Sequence, residues 1–216
     1  MYPVPAGLVT VPEVYAVASR PRPHDRPWVG ICMVASIDGS AALAGTSGGL
    51  SSSTDALVLR TLREAADVIV VGAGTVRTEG YGPPRKPGQR VGVVTSRGIV
   101  DASSPLFASG AGFVITTHEA PDPGVDTLRA GRGRVDLAEA IARLDADFVQ
   151  AEGGPTLNAA LLEQGLVDEV NLTVSPALVG GSGPRLTTGS PEGKQRMGLA
   201  SVCDDDGFVF LRYVRV

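Results

Sequence analysis

The sequence predicts an α/β fold with a largely parallel central sheet, and three observations predict it. Short apolar runs at 28–37, 68–71, 91–94, 113–115, 148–151 and 170–174 are interleaved with helical patterns, as in βαβ units. Several are apolar at consecutive rather than alternate positions, the pattern of strands covered on both faces. Four of them end in small or polar residues, at 36–39, 72–75, 95–97 and 152–156; ligands in such sheets sit beyond the carboxyl ends of the strands.

The elements follow in order. Residues 1–27 carry six of the 16 prolines and read as an extended arm, with room for one helical turn around 13–17. The core domain then spans 28–216, starting with the strand at 28–37 that Asp38-Gly39 ends. The small, glycine-bearing stretch 41–53 is a loop. Thr54 or Ser53 caps a helix to about Ala66, with Val58, Leu62, Ala65 and Ala66 on one face. After the strand at 68–71, residues 77–90 are rich in glycine, proline and charge and read as a long loop. Asp136 and Glu139 have capping-box spacing for a helix through Leu144. Pro155 suits the first helical position, and Gly165 is placed to end that helix. Two strands, 199–204 and 208–216, joined at Asp204-Asp205-Asp206-Gly207, form a terminal antiparallel hairpin at one sheet edge.

Composition limits function. With 216 residues, 43% hydrophobic and 19% charged, the chain has ample core for one globular domain. A net charge of −4 argues against a nucleic-acid partner. No apolar run approaches the roughly 20 residues that span a bilayer, and nothing marks secretion. Two cysteines, Cys32 and Cys203, exclude a disulfide framework or cysteine-rich zinc site and make the cytoplasm the expected compartment.

The chemistry gathers at 152–157. Gly153-Gly154-Pro155 at a strand-to-helix junction lets backbone approach a ligand, and the free N–H groups of the first turn, at Thr156 and Leu157, attract phosphate. Glu152 stands just before them. Gly72-Ala73-Gly74-Thr75 begins like a dinucleotide fingerprint but has Arg77 where the third glycine belongs; alone it reads as a tight turn. Thr95-Ser96-Arg97 offers hydroxyls and a guanidinium at a strand end, suited to the 2′-phosphate of NADPH, with an ordinary polar turn as the alternative. Arg60 and Arg63 share a helix, where a solvated face is the usual role; a buried Arg63 would instead hold an anion. His24 and His118 have no metal spacing around them, and no metal is expected. Neither a Gly-x-Ser-x-Gly motif nor a Walker loop occurs.

As a set, these motifs resemble a known family. The segments are Val34-Ala35-Ser36-Ile37-Asp38-Gly39, Leu62-Arg63-Glu64-Ala65-Ala66-Asp67-Val68-Ile69, Gly72-Ala73-Gly74-Thr75-Val76, Glu152-Gly153-Gly154-Pro155-Thr156-Leu157, Val167-Asp168-Glu169 and Pro176-Ala177-Leu178-Val179-Gly180-Gly181. They look like the reductase domain of riboflavin biosynthesis, the pyrimidine reductase group with a dihydrofolate-reductase-like fold. The resemblance implies NADPH-dependent reduction of the ribosyl group of 5-amino-6-(5-phosphoribosylamino)uracil to ribityl, and a homodimer. It implies cofactor contacts at Ala35, Thr75, Glu79 and Ser96 and from Gly154 through Pro155, Thr156 and Leu157 to Ala160, and the glycine and strand-end motifs add Gly72, Gly74, Arg97 and Gly153 to the cofactor side. Substrate contacts would fall at Ser47, Arg63 and Glu152, with Glu152 also assisting catalysis, and Arg85 or Lys86 would supply a phosphate-binding cation.

Departures accompany it. The His-x-Glu and Pro-Cys-x-x-Cys signatures of the deaminase in bifunctional relatives do not occur, so a separate deaminase is expected. A lysine common in bacterial relatives is Cys32 here, and a tryptophan after Ser47 is Gly49. Two other readings follow: a related reductase acting on a pterin or dihydrofolate, and a non-catalytic NADPH-binding protein.

Overall fold

The computed structural model describes residues 7–23 and 25–216; His24 and the prolines at 3 and 5 lie outside them. A short helix α1 (Val11–Tyr15) begins where the Glu13 carboxylate accepts hydrogen bonds from the N–H and hydroxyl of Thr10. The chain continues through β1 (Trp28–Ser36), α2 (Ser53–Ala65), β2 (Val68–Gly72), α3 (Ala73–Glu79), β3 (Arg90–Val94), α4 (Pro105–Ala108), β4 (Gly112–Thr116) and β5 (Thr127–Arg129). Then come α5 (Leu137–Ala142), β6 (Phe148–Ala151), α6 (Pro155–Glu163), β7 (Glu169–Ser175), β8 (Met197–Asp205) and β9 (Phe208–Arg215).

The strands form one sheet in the order β5-β4-β3-β2-β6-β1-β7-β9-β8. All pairings from β5 to β7 are parallel, and β9 and β8 are antiparallel to their neighbours. The expected hairpin therefore closes one edge. Asp206 and Gly207 both have positive φ, at 46° and 80°, as a two-residue hairpin turn of matching twist requires.

Consecutive apolar residues serve both faces of the sheet. In β2, Val68 and Val70 join a core with α5 and α6 through Leu137, Ile141, Leu157 and Leu161, whereas Ile69 and Val71 pack with Leu106 and Phe107 of α4. On the latter face a third cluster joins Tyr15 of α1 to Val58 and Leu62 of α2, Cys32, Phe148 and Phe210.

Several local expectations are corrected. The cap of α2 is Ser52, whose side chain accepts from the Asp55 N–H, rather than Thr54 or Ser53. Residues 73–79 form α3 where the glycines suggested a turn and loop; Val76 and the following Tyr81 pack on the core beside β2 and β3, and this tertiary burial outweighs poor local propensity. The α5 helix ends at Ala142, short of Leu144, and only half of its capping box forms: Asp136 accepts from Glu139 N–H, while the Glu139 carboxylate accepts from Gly131 N–H. Both α4 and β5 lacked a local signal. The proline-rich arm is docked by Arg20, which pairs with the buried Glu169, and by Arg26, which pairs with Asp168.

Among the described residues no helix is long and apolar enough to cross a membrane, and no group of three or more His, Cys, Asp or Glu is gathered to hold a metal.

Candidate active site

Beyond β2 the chain runs outward to β3, β4 and β5, whereas β6 returns to lie between β2 and β1, and β7 lies on the far side of β1. Reversal of strand order opens a crevice at the carboxyl ends. A cleft of about 1030 Å³ lies there, lined from β1 by Cys32, Met33 and Val34 and from later strand ends by Gly72, Thr95 and Glu152. Three of the four anticipated strand ends reach it: 72–75, 95–97 and 152–156. The fourth, 36–39, turns away. The Asp38 carboxylate accepts from Ser36 Oγ and from the N–H groups of Val179 and Gly180, clamping a later loop; with Ser36 Oγ the leading contributor, these donors hold its pKa down at about 2.

One wall of the cleft is the start of α6. Pro155 occupies the first helical position, and the first-turn N–H groups of Thr156 and Leu157 have no acceptor within the helix. A Cβ at Gly154 would stand 2.7 Å from Thr75 Oγ1, and one at Gly72 would stand 3.2 Å from Gly154 N, so two backbone segments approach as only glycine permits. Gly72 N–H donates to the Gly153 carbonyl at 2.7 Å, and the Gly153–Gly154 peptide is cis. Gly74 faces open space. Ser96 and Arg97 line the same cleft, as does Arg134, which no motif pointed to and which pairs with Glu163 at 2.7 Å. Glycine-walled N–H groups next to guanidiniums fit the phosphates of a dinucleotide.

The other wall is built around Glu152. Its buried carboxylate receives Arg63 Nε at 2.7 Å and a terminal Arg63 nitrogen at 2.6 Å, plus the Tyr81 hydroxyl at 2.7 Å. Burial acts to lower the Arg63 pKa, but the Glu152 carboxylate outweighs it and keeps the guanidinium charged. Burial first, and then Glu152, push the Tyr81 hydroxyl well above its ordinary range, so it stays protonated as a donor. Tyr81 is held there because the loop after α3 is pinned to the end of α2: Lys86 Nζ donates to the Ala66 carbonyl, and Gln89 donates to those of Arg63 and Ala66.

Ser47, Gly72, Gly74, Thr75, Glu79, Ser96, Arg97, Glu152, Gly154, Pro155, Thr156 and Leu157 all line the cleft. Glu79 accepts from both the N–H and the hydroxyl of Ser47 at 2.9 and 3.0 Å, tying α3 to the 41–53 loop. Ala35, Gly153 and Arg63 are outside the lining, and Arg63 binds Glu152, which is part of it. Arg85 is exposed and outside the lining, and Lys86 is spent on the α2 terminus. Tyr81 and Asp55 were missed. Their one sequence signal was an aromatic or acidic residue within three positions of a small-residue loop.

The sheet order, the antiparallel terminal strands and the crevice at the strand ends define a dihydrofolate-reductase-like α/β protein. Dihydrofolate reductase of Enterococcus faecalis shares the fold at a TM-score of 0.54 over 87% of this chain and 96% of that one, at 14% identity. The chain belongs to the RibD C-terminal domain family, matched over residues 27–210, the pyrimidine reductases of riboflavin biosynthesis. It is 34% identical over 181 residues to the 2,5-diamino-6-ribosylamino-4(3H)-pyrimidinone 5′-phosphate reductase of Methanothermobacter thermautotrophicus, covering 74% of this chain and 82% of that one. A crystal structure of a pyrimidine reductase-like protein from Corynebacterium diphtheriae superposes with a TM-score of 0.82 at 27% identity, covering 96% of this chain and 99% of the other.

Proposed function

We propose that this protein uses NADPH to reduce the ribosyl group of a phosphoribosylaminopyrimidine to ribityl. The supporting observation is the two-sided cleft. The glycine cradle and α6 stand on one face of the sheet edge, the Glu152–Arg63–Tyr81 cluster on the other, and the chain crosses between them at 152–154. NADPH held by the glycine cradle and the start of α6 would supply the hydride for C1′ of the opened sugar, and the proton would reach the sugar on the Glu152 side of the cleft. On the cofactor side we place Ala35, Gly72, Gly74, Thr75, Glu79, Ser96, Arg97 and residues 153–157. On the substrate side we place Ser47, Arg63 and Glu152, with Glu152 fixing Arg63 and the Tyr81 hydroxyl toward the sugar. The uracil substrate is one reading; the diaminated pyrimidinone is a second, favoured by the name of the Methanothermobacter relative.

The test follows loss of nicotinamide absorbance when the protein and NADPH meet each pyrimidine 5′-phosphate or dihydrofolate. Oxidation with a pyrimidine is expected. Oxidation with dihydrofolate alone would transfer the assignment to a folate-type substrate, and tight NADPH binding without any oxidation would leave a binding protein. In the same assay Arg97→Ala should narrow the preference for NADPH over NADH by about tenfold, the loss of one charge-assisted phosphate contact; an unchanged preference removes the 2′-phosphate role.

A homodimer is part of this proposal. Register places Val170, Leu172 and Val174 of β7 beside Tyr213, Leu211 and Val209 of β9, with Leu199 and Val202 of β8 alongside. The β7 residues are only partly covered, and Leu199 is 46% exposed. A contiguous apolar sheet face of this kind marks an interface. A monomeric mass by sedimentation would remove it.

A further inference from the structure

The Glu152 cluster leaves one polar capacity that the proposed reaction has not used, on the oxygen of Tyr81. The single proton of that hydroxyl is committed to Glu152 Oε2 at 2.7 Å. Arg63 fixes the carboxylate in place, with Nε on Oε1 at 2.7 Å and a terminal nitrogen on Oε2 at 2.6 Å. A phenolic oxygen accepts as well as donates, and no described residue donates to this one. Tyr81 lines the cleft, so its lone pairs are open to a ligand. Burial, and then Glu152, raise its pKa well above the ordinary range; the hydroxyl therefore keeps its proton on the Glu152 side and its acceptor character toward the cleft.

This acceptor is rigidly held. Helix α3 ends at Gly80 in the left-handed conformation, φ 66°, and the N–H groups of Gly80 and Tyr81 both donate to the Val76 carbonyl, at 3.1 and 3.2 Å. The Tyr81 side chain packs on the core with Val76. Its ring centroid lies 5.4 Å from the Arg63 guanidinium carbon, within cation–π reach. Gly82-Pro83-Pro84 follow, and the prolines stiffen the chain beyond the ring. A ligand that covers so fixed an oxygen must bring a donor, because desolvating it without one is costly. A donor that does reach it extends a chain through Tyr81 to the Glu152 carboxylate, in which each hydrogen bond strengthens the next.

Glu152 stands two residues before Gly154, where the two walls of the cleft meet, so the part of the substrate beside it is the part to be reduced. The donors there are sugar hydroxyls. A 5′-phosphate offers acceptors and negative charge, which the Tyr81 oxygen and the Glu152 carboxylate both oppose. The ring oxygen of a closed sugar has only lone pairs. The 2′-hydroxyl, on the carbon next to C1′, is a donor in the closed and the opened sugar alike. We infer that Tyr81 is a specificity-determining residue whose oxygen accepts a hydrogen bond from the 2′-hydroxyl, so that the site selects ribosyl over 2′-deoxyribosyl substrates. The inference rests on the pyrimidine reductase reading above.

The experiment is a cycle on the full-length protein. Wild type and Tyr81→Phe each meet the ribosyl, 2′-deoxyribosyl and 3′-deoxyribosyl forms of the pyrimidine 5′-phosphate, by turnover with NADPH and by calorimetric binding to the NADP⁺-loaded protein. Wild type should lose about 10- to 100-fold in kcat/KM on the 2′-deoxy compound, the scale of one hydrogen bond in a chain that ends on a charge. Tyr81→Phe should lose a similar factor on the ribosyl compound yet only about threefold on the 2′-deoxy compound, because the two changes remove one shared interaction. General damage to the Glu152 cluster would instead lower all three substrates alike, and the 3′-deoxy penalty should be the same in both proteins. Losses that multiply on the 2′-deoxy compound, or a wild type indifferent to the 2′-hydroxyl, overturn the assignment. Should Tyr81→Phe not fold, the wild-type ratio of 2′-deoxyribosyl to 3′-deoxyribosyl turnover decides: equal penalties overturn the assignment. Turnover without coupling removes the role of Tyr81 and leaves the reductase. Coupling in binding without turnover removes the reductase and leaves the role of Tyr81. Absence of both binding and turnover overturns both.

Discussion

Glu152→Gln should slow turnover by roughly 100-fold or more, the range in which positioned proton-transfer and orienting groups act, while NADPH binding stays within about twofold. The carboxylate is a shared acceptor: Arg63 grips both oxygens at 2.6–2.7 Å, and the Tyr81 hydroxyl adds a third bond at 2.7 Å. An amide of the same size has one acceptor oxygen and turns its NH₂ donors against donor groups. Arg63 and Tyr81 then lose their common anchor, and the groups proposed to face the sugar lose their orientation. The cofactor wall is spared because it begins two residues later, across the sheet edge, held by contacts between Gly72, Thr75, Gly153 and Gly154. Single-turnover kinetics and a fluorescence titration with NADPH separate the two effects. If both fall equally, Glu152 belongs to the cofactor side.

Glu169→Gln should cost about 3–5 kcal/mol of stability, the usual penalty for removing one partner of a buried ion pair. Glu169 has no solvent exposure and pairs with Arg20 at 2.9 Å and Arg212 at 3.0 Å, whose side chains are only 6% and 12% exposed. Trp28 Nε1 donates to the same carboxylate at 3.1 Å. Replacing it leaves two buried guanidiniums without their counter-charge and frees the arm that Arg20 docks. Urea unfolding measures the loss; a change below about 1 kcal/mol would reduce the cluster to the worth of a surface pair.

The same residue sets an acid limb. Burial alone would raise the Glu169 pKa, but the hydrogen bonds and charges of Arg212 and Arg20 outweigh it and hold it below its ordinary value. A carboxyl with a lower pKa in the folded state stabilises fully above the unfolded value and loses that contribution as pH falls through the folded one. Wild-type stability should therefore decline below the ordinary glutamate range, and the Gln variant should decline less over the same interval.

Some of the cleft was legible in the sequence because its causes are local. Pro155 at the first helical position and the glycine pair before it are statements about φ, missing donors and side-chain volume. Other features were hidden because their causes are distant. Tyr81 lies 71 residues from the Glu152 it binds, and Arg20 lies 149 residues from Glu169. The 73–79 helix looked like a turn because its glycines weaken it locally, and only burial of Val76 and Tyr81 against the core makes it pay.

The sequence by itself determined the parallel sheet, its two covered faces and the closing hairpin, since apolar runs and turn chemistry act between near neighbours. Tertiary structure alone decided which strand ends converge. Placing β6 between β2 and β1 brings 72–75 beside 152–156, whereas Asp38 spends the 36–39 end on a loop clamp. It also decided which buried carboxylate anchors Arg63 and Tyr81. Glu152 and Asp55 are both buried acids at the cleft, and no local rule separates them; Arg63 and Tyr81 reach one and not the other because the sheet fixes α2 and the loop after α3 at those distances.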